Sequence, residues 1–351
     1  MNPATNPALV REAALAAGVC GRPIVSRVTD HATGETRLVP IACGATRDDR
    51  CPPCAERAKK LRMQQCREGW HLDSEPEHDT SAPEGNDDGD DPEGAGRRVR
   101  STRRRQDAPD LPQVPMEDRT IGRVFTTPDG KTYRPSMFLT LTLPSYGPVT
   151  AEGVPVDPDR YDYRQAALDA LHFPKLVDRF WQNLRRCAGY QVQYFATIEA
   201  QRRCAPHLHA AVRGAIPRRI VRQVRAATYH QVWWPLHDTP IYVDGVPVWT
   251  DGAGYVDPDT GEPLPTWDEA LDDLDDDREA EPAHVLQFGD QDDMQGLLAG
   301  TPGAERAIGY LCKYLTKAIA TTHDESEAAE ARRAHVDRLA DEVRWLPCSP
   351  T

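Results

Sequence analysis

Two apolar segments joined by a short loop set the strongest constraint on how this chain folds. QVQYFATIE (191–199) and HLHAAVRG (207–214) each read as a strand, and the intervening QRRCAP predicts a hairpin. Side chains alternate faces along a strand, so His207 and His209 share one face while Leu208 and Ala210 take the other. With the loop centred on Arg203, Glu199 falls opposite His207, and directly opposed residues sit about 5 Å apart. A one-residue slip in register would turn Glu199 away. Two imidazoles and one carboxylate with open positions suit a divalent cation that also binds a substrate oxygen. The same residues also read as two polar groups on a strand and a solvent-facing glutamate at a strand end.

The neighbouring segments supply the rest of an α+β fold. MFLTLTLPSYG (137–147) alternates apolar residues with threonines and predicts a strand with one buried face. Residues 164–187 predict a helix in which Leu176, Phe180 and Leu184 lie four apart, with Pro174 a kink or an interruption. PRRIVRQVRAATYHQVWW (217–234) predicts a helix with proline near its first turn. HVLQFGDQ (284–291) predicts a short strand; 305–322 and 327–346 predict helices.

Charge divides the chain further. The net charge is −13, which alone argues against a nucleic-acid partner. Residues 71–96, however, hold ten Asp/Glu and no Lys/Arg, and residues 257–281 hold twelve against one arginine. Both read as solvated, disordered insertions, and they leave the remaining residues at +8, a balance that permits DNA binding. The expected organisation is a cysteine-rich probable zinc module (1–70) and a disordered acidic linker (71–118) closing with RRVRSTRRR. A globular domain follows (119–322), carrying a disordered acidic insertion at about 250–282, and then a charged C-terminal helix (323–351). No basic n-region precedes an apolar run at the N-terminus, and no stretch reaches the roughly 18 apolar residues of a membrane span. The expectation is a cytoplasmic protein with reduced thiols and no membrane partner.

Within 305–322, GYLCKYLTKA sets Tyr310 and Tyr314 four apart, and Lys313 and Lys317 likewise, so two Y-x-x-K units interleave on a helix. A phenol has a pKa near 10 and attacks phosphorus only with help from a nearby cation and a polarised phosphodiester. An amphipathic helix with packed tyrosines and solvated lysines would carry the same pattern. In the N-terminal module Cys51 and Cys54 form C-P-P-C, with Cys43 and Cys20 upstream and Cys66 on the next helix as a reserve. This arrangement favours tetrahedral Zn²⁺ over a disulfide or free thiols. Arg218, Arg219, Arg222 and Arg225 are candidate contacts to single-stranded DNA, and Trp233 and Trp234 either stack on bases or pack in the core.

FLTLT, PHLHAAV and YLCKYLTK, in that order, resemble the three motifs of the HUH (His-hydrophobe-His) endonucleases. More narrowly, the chain resembles the rolling-circle replication initiators of actinobacterial plasmids and integrative elements, by motif over residues 120–320. The resemblance implies an antiparallel sheet backed by helices, a ferredoxin/RRM-like palm, with the histidines on a central strand and the tyrosine helix alongside. It implies that His207 and His209 hold Mg²⁺ or Mn²⁺, with Glu199 at the place of a third ligand. A tyrosine would cut one strand at the origin, leaving a 5′-phosphotyrosyl link and a free 3′-OH. Plasmid initiators with K-Y-x-x-K point to Tyr314 as nucleophile and Lys317 as its partner. Phage gene A proteins, with two tyrosines four apart, give Tyr310 the second role and leave Lys313 as its lysine. Origin DNA, a host helicase and the replication machinery are the implied partners. The resemblance also implies a further Cys-containing stretch beyond LPCSPT, where this sequence stops. A conjugative relaxase or transposase of the same superfamily, or a non-catalytic zinc-containing DNA-binding regulator, are the alternatives.

Overall fold

A computed structural model describes residues 7–71, 108, 111–120, 122, 124–130, 132–234, 237–243, 245–298, 301–313 and 327–344. The N-terminal part comprises α1 (Pro7–Ala16), a hairpin of β1 (Ile24–Thr29) and β2 (Thr36–Ile41), and α2 (Pro52–His71). After the small pair β3 (Phe125–Thr126) and β4 (Thr132–Tyr133) come β5 (Pro135–Thr142), α3 (Tyr163–Ala188), β6 (Tyr194–Ala200) and β7 (Pro206–Val212). Next follow α4 (Arg218–Ala227), β8 (Tyr229–Val232), β9 (Val248–Thr250), β10 (Gly254–Val256), α5 (Trp267–Asp276), β11 (His284–Gln287) and β12 (Asp292–Leu298). The described chain ends with α6 (Pro302–Lys313) and α7 (Glu327–Glu342). No helix among the described residues is long and apolar enough to cross a membrane.

The sheet that organises the molecule has the order β12-β5-β7-β6, antiparallel throughout. Period-2 alternation gives it two different faces. Leu139, Leu141, Leu208, Ala210, Val212 and Met294 enter one core with Phe173, Leu176, Phe180 and Leu184 of α3 and Val221 and Val224 of α4. The opposite face carries the histidines and is covered in part by α6 and α2. Burying each large side chain on the α3 side contributes about 1.5–3 kcal/mol, so this core fixes the sheet.

α3 is a single helix despite Pro174. Asp162 caps its start by accepting from the Gln165 amide at 2.9 Å, and Gly189 ends it in the left-handed region at φ 69°. α7 lies against α3 and reaches the β6–β7 loop: its buried His335 stands 3.1 Å from both the Tyr163 hydroxyl and the Arg203 carbonyl. The strands that carry the site are thereby tied at their joining loop.

Three expectations change. The helix expected over 217–234 stops at Ala227, where the Thr228 hydroxyl donates to the Val224 carbonyl at 2.6 Å and the β-prone Tyr229–Val232 pairs with β11. The insertion at about 250–282 was expected to be disordered, yet it contains the β9–β10 hairpin and α5, which a Thr266/Glu269 capping box starts. β12, unanticipated, adds an edge strand to β5. Of the 71–118 linker, residues 72–107 lie outside the described residues.

Candidate metal centre and its tyrosine

The β6–β7 hairpin has the register that its symmetry about Arg203 predicts: Glu199 faces His207 and Thr197 faces His209. On the other side of β7, Thr142 faces His207 and Thr140 faces His209. Ligand atoms of Glu199, His207 and His209 all lie within 4.8 Å of one another. All three residues are at least nine-tenths buried, at 7%, 9% and 6% exposure.

Each side chain has a defined orientation. The Thr140 hydroxyl lies 2.8 Å from His209 Nδ1, which directs Nε2 of that ring into the cluster, 3.9 Å from Glu199 Oε2. With Nδ1–H donating to Thr140, Nε2 keeps its lone pair, which is the form a metal requires. His207 Nδ1 is buried with no hydrogen-bond partner among the described residues. Burial lowers the pKa of both imidazoles, that of His209 to about 4 with His207 adding to the effect. Neutral rings beside a buried carboxylate form a nitrogen–nitrogen–oxygen donor set, and a cation would compensate the cost of burying that carboxylate.

α6 brings Tyr310 to this cluster. Thr301 starts the helix by accepting from the Ala304 amide at 3.3 Å, and Ile308, Leu311 and Cys312 are fully buried beneath it. The Tyr310 hydroxyl stands 3.2 Å from His209 Nε2 and 3.4 Å from Glu199 Oε2, with its ring edge-on to the imidazole at 4.9 Å between centroids. The residue is 39% exposed, so its phenol lies between the buried donors and solvent. Tyr314 and Lys317 lie outside the described residues; Lys313 is the last described residue of α6, and its side chain too lies outside them.

A second donor set lies in the N-terminal module. Cys20, Cys43, Cys51 and Cys54 have their sulfurs within 4.8 Å of one another, and all four thiols are free. Cys43 and Cys54 sulfurs are 3.7 Å apart, and those of Cys51 and Cys20 3.9 Å. A tetrahedron with Zn–S bonds of ~2.3 Å has edges of about 3.8 Å, so the spacing fits zinc. The Cys43 amide donates to Cys20 Sγ at 3.3 Å and is the main reason that thiol is lowered to about 6. Cys66 is not in this set but far along α2, in the cluster that holds Cys312.

The four arginines divide into two pairs. Arg218 and Arg219 are exposed at the start of α4. Arg222 pairs with Asp292 at 3.3 Å, and Arg225 pairs with Asp292 at 3.3 Å and Asp290 at 3.5 Å. Trp234 lies against Trp267 at 4.7 Å between centroids. An open groove of about 530 Å³ runs beside the histidines, lined by Thr140, Thr142, Arg222, Asp290, Gln291, Asp292 and Asp293. Sequence reasoning missed Thr140 as the partner of His209. The signal was present in the alternating threonines of FLTLT, but the cross-strand neighbour of each one was not.

No curated protein and no solved structure matches this chain. The family model described as replication initiator protein, pSAM2 (RepSA), matches residues 7–351. That match takes in both donor sets and the helix that carries Tyr310, and the chain belongs to the RepSA family of replication initiators.

Proposed function

We propose that this protein initiates rolling-circle replication by nicking one DNA strand at its origin through a tyrosine, in the manner of HUH endonucleases. The observation that carries this reading is the Tyr310 hydroxyl 3.2 Å from His209 Nε2, at the rim of the Glu199/His207/His209 cluster. Those three residues would hold Mg²⁺ or Mn²⁺, which when bound would polarise the scissile phosphate and offset the charge that builds on its oxygens. The phenolic oxygen attacks phosphorus, the bond from phosphorus to the 3′ oxygen breaks, and a 5′-phosphotyrosyl link forms. The phenol loses its proton, and the departing 3′ oxygen gains one and becomes a 3′-OH primer. Reversal of the same step on a new 3′-OH rejoins the strand. Lys313 and Lys317 supply positive charge for the leaving oxygen and the phosphate. The motif resemblance favours Tyr314 for the first cleavage; in this reading Tyr310, the phenol nearest the donors among the described residues, takes it instead, and Tyr314, four residues on, takes the second. Origin DNA, a host helicase and the replication machinery are the partners, with Arg218 and Arg219 available to phosphates.

Incubation with supercoiled plasmid carrying the protein's own origin and Mg²⁺ tests the reading. Open circles with covalently attached protein are expected, lost on chelation and in His207→Ala. Retarded but uncut DNA would support a non-catalytic regulator instead. Tyr310→Phe is expected to lower adduct formation by about 100-fold or more; a normal adduct in that variant would transfer the role to Tyr314.

A further inference from the structure

The cysteine module reaches the site from behind the tyrosine. α6, described over Pro302–Lys313, takes its place from what packs against its buried face. Its buried stripe is Ala304, Ile308, Leu311 and Cys312, the i, i+4, i+7, i+8 spacing of one helix face. Two surfaces receive that stripe. The sheet supplies Phe138, Phe195, Ala211 and Leu297, and α2 supplies Met63 and Cys66. At the edge of this contact Arg67 of α2 holds Glu305 of α6, with Nε and Nη2 each 3.0 Å from Oε2. Burial of Cys66 is deep enough to push its thiol up to about 12.

α2 is anchored at its other end. Cys51 immediately precedes it and Cys54 lies in its first turn, both in the four-sulfur cluster with Cys20 and Cys43. From Cys54 to Cys66 is twelve residues, or about 18 Å of helix. A rigid rod therefore joins the cysteine cluster to the back of the helix whose front carries Tyr310.

We infer that α2 is a brace that sets the position of Tyr310, with Cys66 and Arg67 as positioning residues for strand cleavage. This rests on the reading that α6 delivers the phenol. The Arg67–Glu305 pair is solvent-exposed and contributes little alone, so the buried contact around Cys66 dominates. A metal held by Cys20, Cys43, Cys51 and Cys54 would fix the origin of the rod, coupling the N-terminal module to the chemistry without touching DNA.

Cys66→Trp in the full chain overfills this contact while leaving the α3-side core intact. Hydrogen exchange of amides 304–313 is expected to quicken by about tenfold or more, with β7 unchanged. Single-turnover cleavage of origin DNA should slow by about tenfold, while DNA affinity stays within about twofold. Stripping metal from the wild-type cysteines and restoring Mg²⁺ should quicken exchange in the same segment. Unchanged exchange in 304–313 would overturn the brace; quickened exchange with undiminished cleavage would overturn its role in positioning. If Cys66→Trp fails to fold, Met63→Ala with Cys66→Ala replaces it, thinning the same buried contact from the α2 side. Quickened exchange in 304–313 with slowed cleavage supports the brace, and exchange as in the wild type removes it. Should the wild type cleave no DNA, the nicking reading fails, while the exchange measurement still decides whether α2 holds α6.

Discussion

Replacing Thr140 by valine keeps the shape of the β5 side chain and removes one oxygen, the one 2.8 Å from His209 Nδ1. Because Thr140 faces His209 across the β5–β7 ladder and the ring is 6% exposed, no solvent can readily replace the lost partner. A neutral hydrogen bond of this kind contributes about 1 kcal/mol, and leaving a buried N–H unsatisfied costs about 1–3 kcal/mol. The ring can avoid that cost by carrying its proton on Nε2 instead, where it would block the lone pair. Either outcome falls on metal binding, for which loss of such a supporting partner typically costs about 10–100-fold in affinity. Thr140→Val should therefore raise the Mn²⁺ concentration giving half-maximal nicking of origin plasmid by roughly tenfold, with most of the rate recovered at saturating metal. A metal titration of nicking alongside a direct Mn²⁺ binding measurement checks this. If both curves overlay those of the wild type, Thr140 does not orient the ring and the tautomer assigned to His209 is wrong.

Elemental analysis should find one zinc per chain in the wild type and close to none in Cys54→Ser, since that change takes one thiolate from a set of four able to close a tetrahedron. Retention of one tightly held zinc would remove that assignment. His230 supplies a pH test away from both clusters. Burial, aided by nearby His172, lowers its pKa to about 4. The unfolded chain therefore takes up a proton near pH 6.5 that the folded chain resists, so stability is full above that pH and falls as the solution is acidified toward 4. By pH 5.5 this amounts to about 1 kcal/mol. The difference in melting temperature between wild type and His230→Gln should shift in favour of the variant between pH 7.5 and 5.5; a constant difference would contradict the shift.

The β6–β7 hairpin was legible because two local properties agreed: strand alternation and a loop short enough to define its own centre. Together they gave the Glu199–His207 pairing without any long-range information. α2, α3 and α7 were likewise visible as periodic segments. β12 was hidden because DDMQGLL opens with two carboxylates and carries a glycine, so only its pairing to β5 makes a strand of it. The acidic insertion misled in the opposite direction. Its composition resembles an unfolded segment, while one local device, the Thr266/Glu269 capping box, starts a helix within it.

What the sequence left open about the site was relation across distance rather than residue identity. Glu199, His207 and His209 lie within eleven residues of chain, and their grouping is a local consequence of strand geometry. Tyr310 is more than a hundred residues away and reaches His209 only because α6 packs on the histidine face of the sheet. The same helix also touches α2, whose Arg67 is 238 residues from Glu305 in sequence. A motif records which side chains a reaction needs, since chemistry restricts residue type. It does not record which helix lies behind which, because many apolar residues would pack as well at Met63 or Leu311. The groups that a motif reveals are therefore the ones that touch substrate, and those that hold them in place emerge only from the folded chain. The cysteine module, which by sequence alone stood apart as a separate unit, sends α2 against the helix that carries Tyr310, a contact that no motif records.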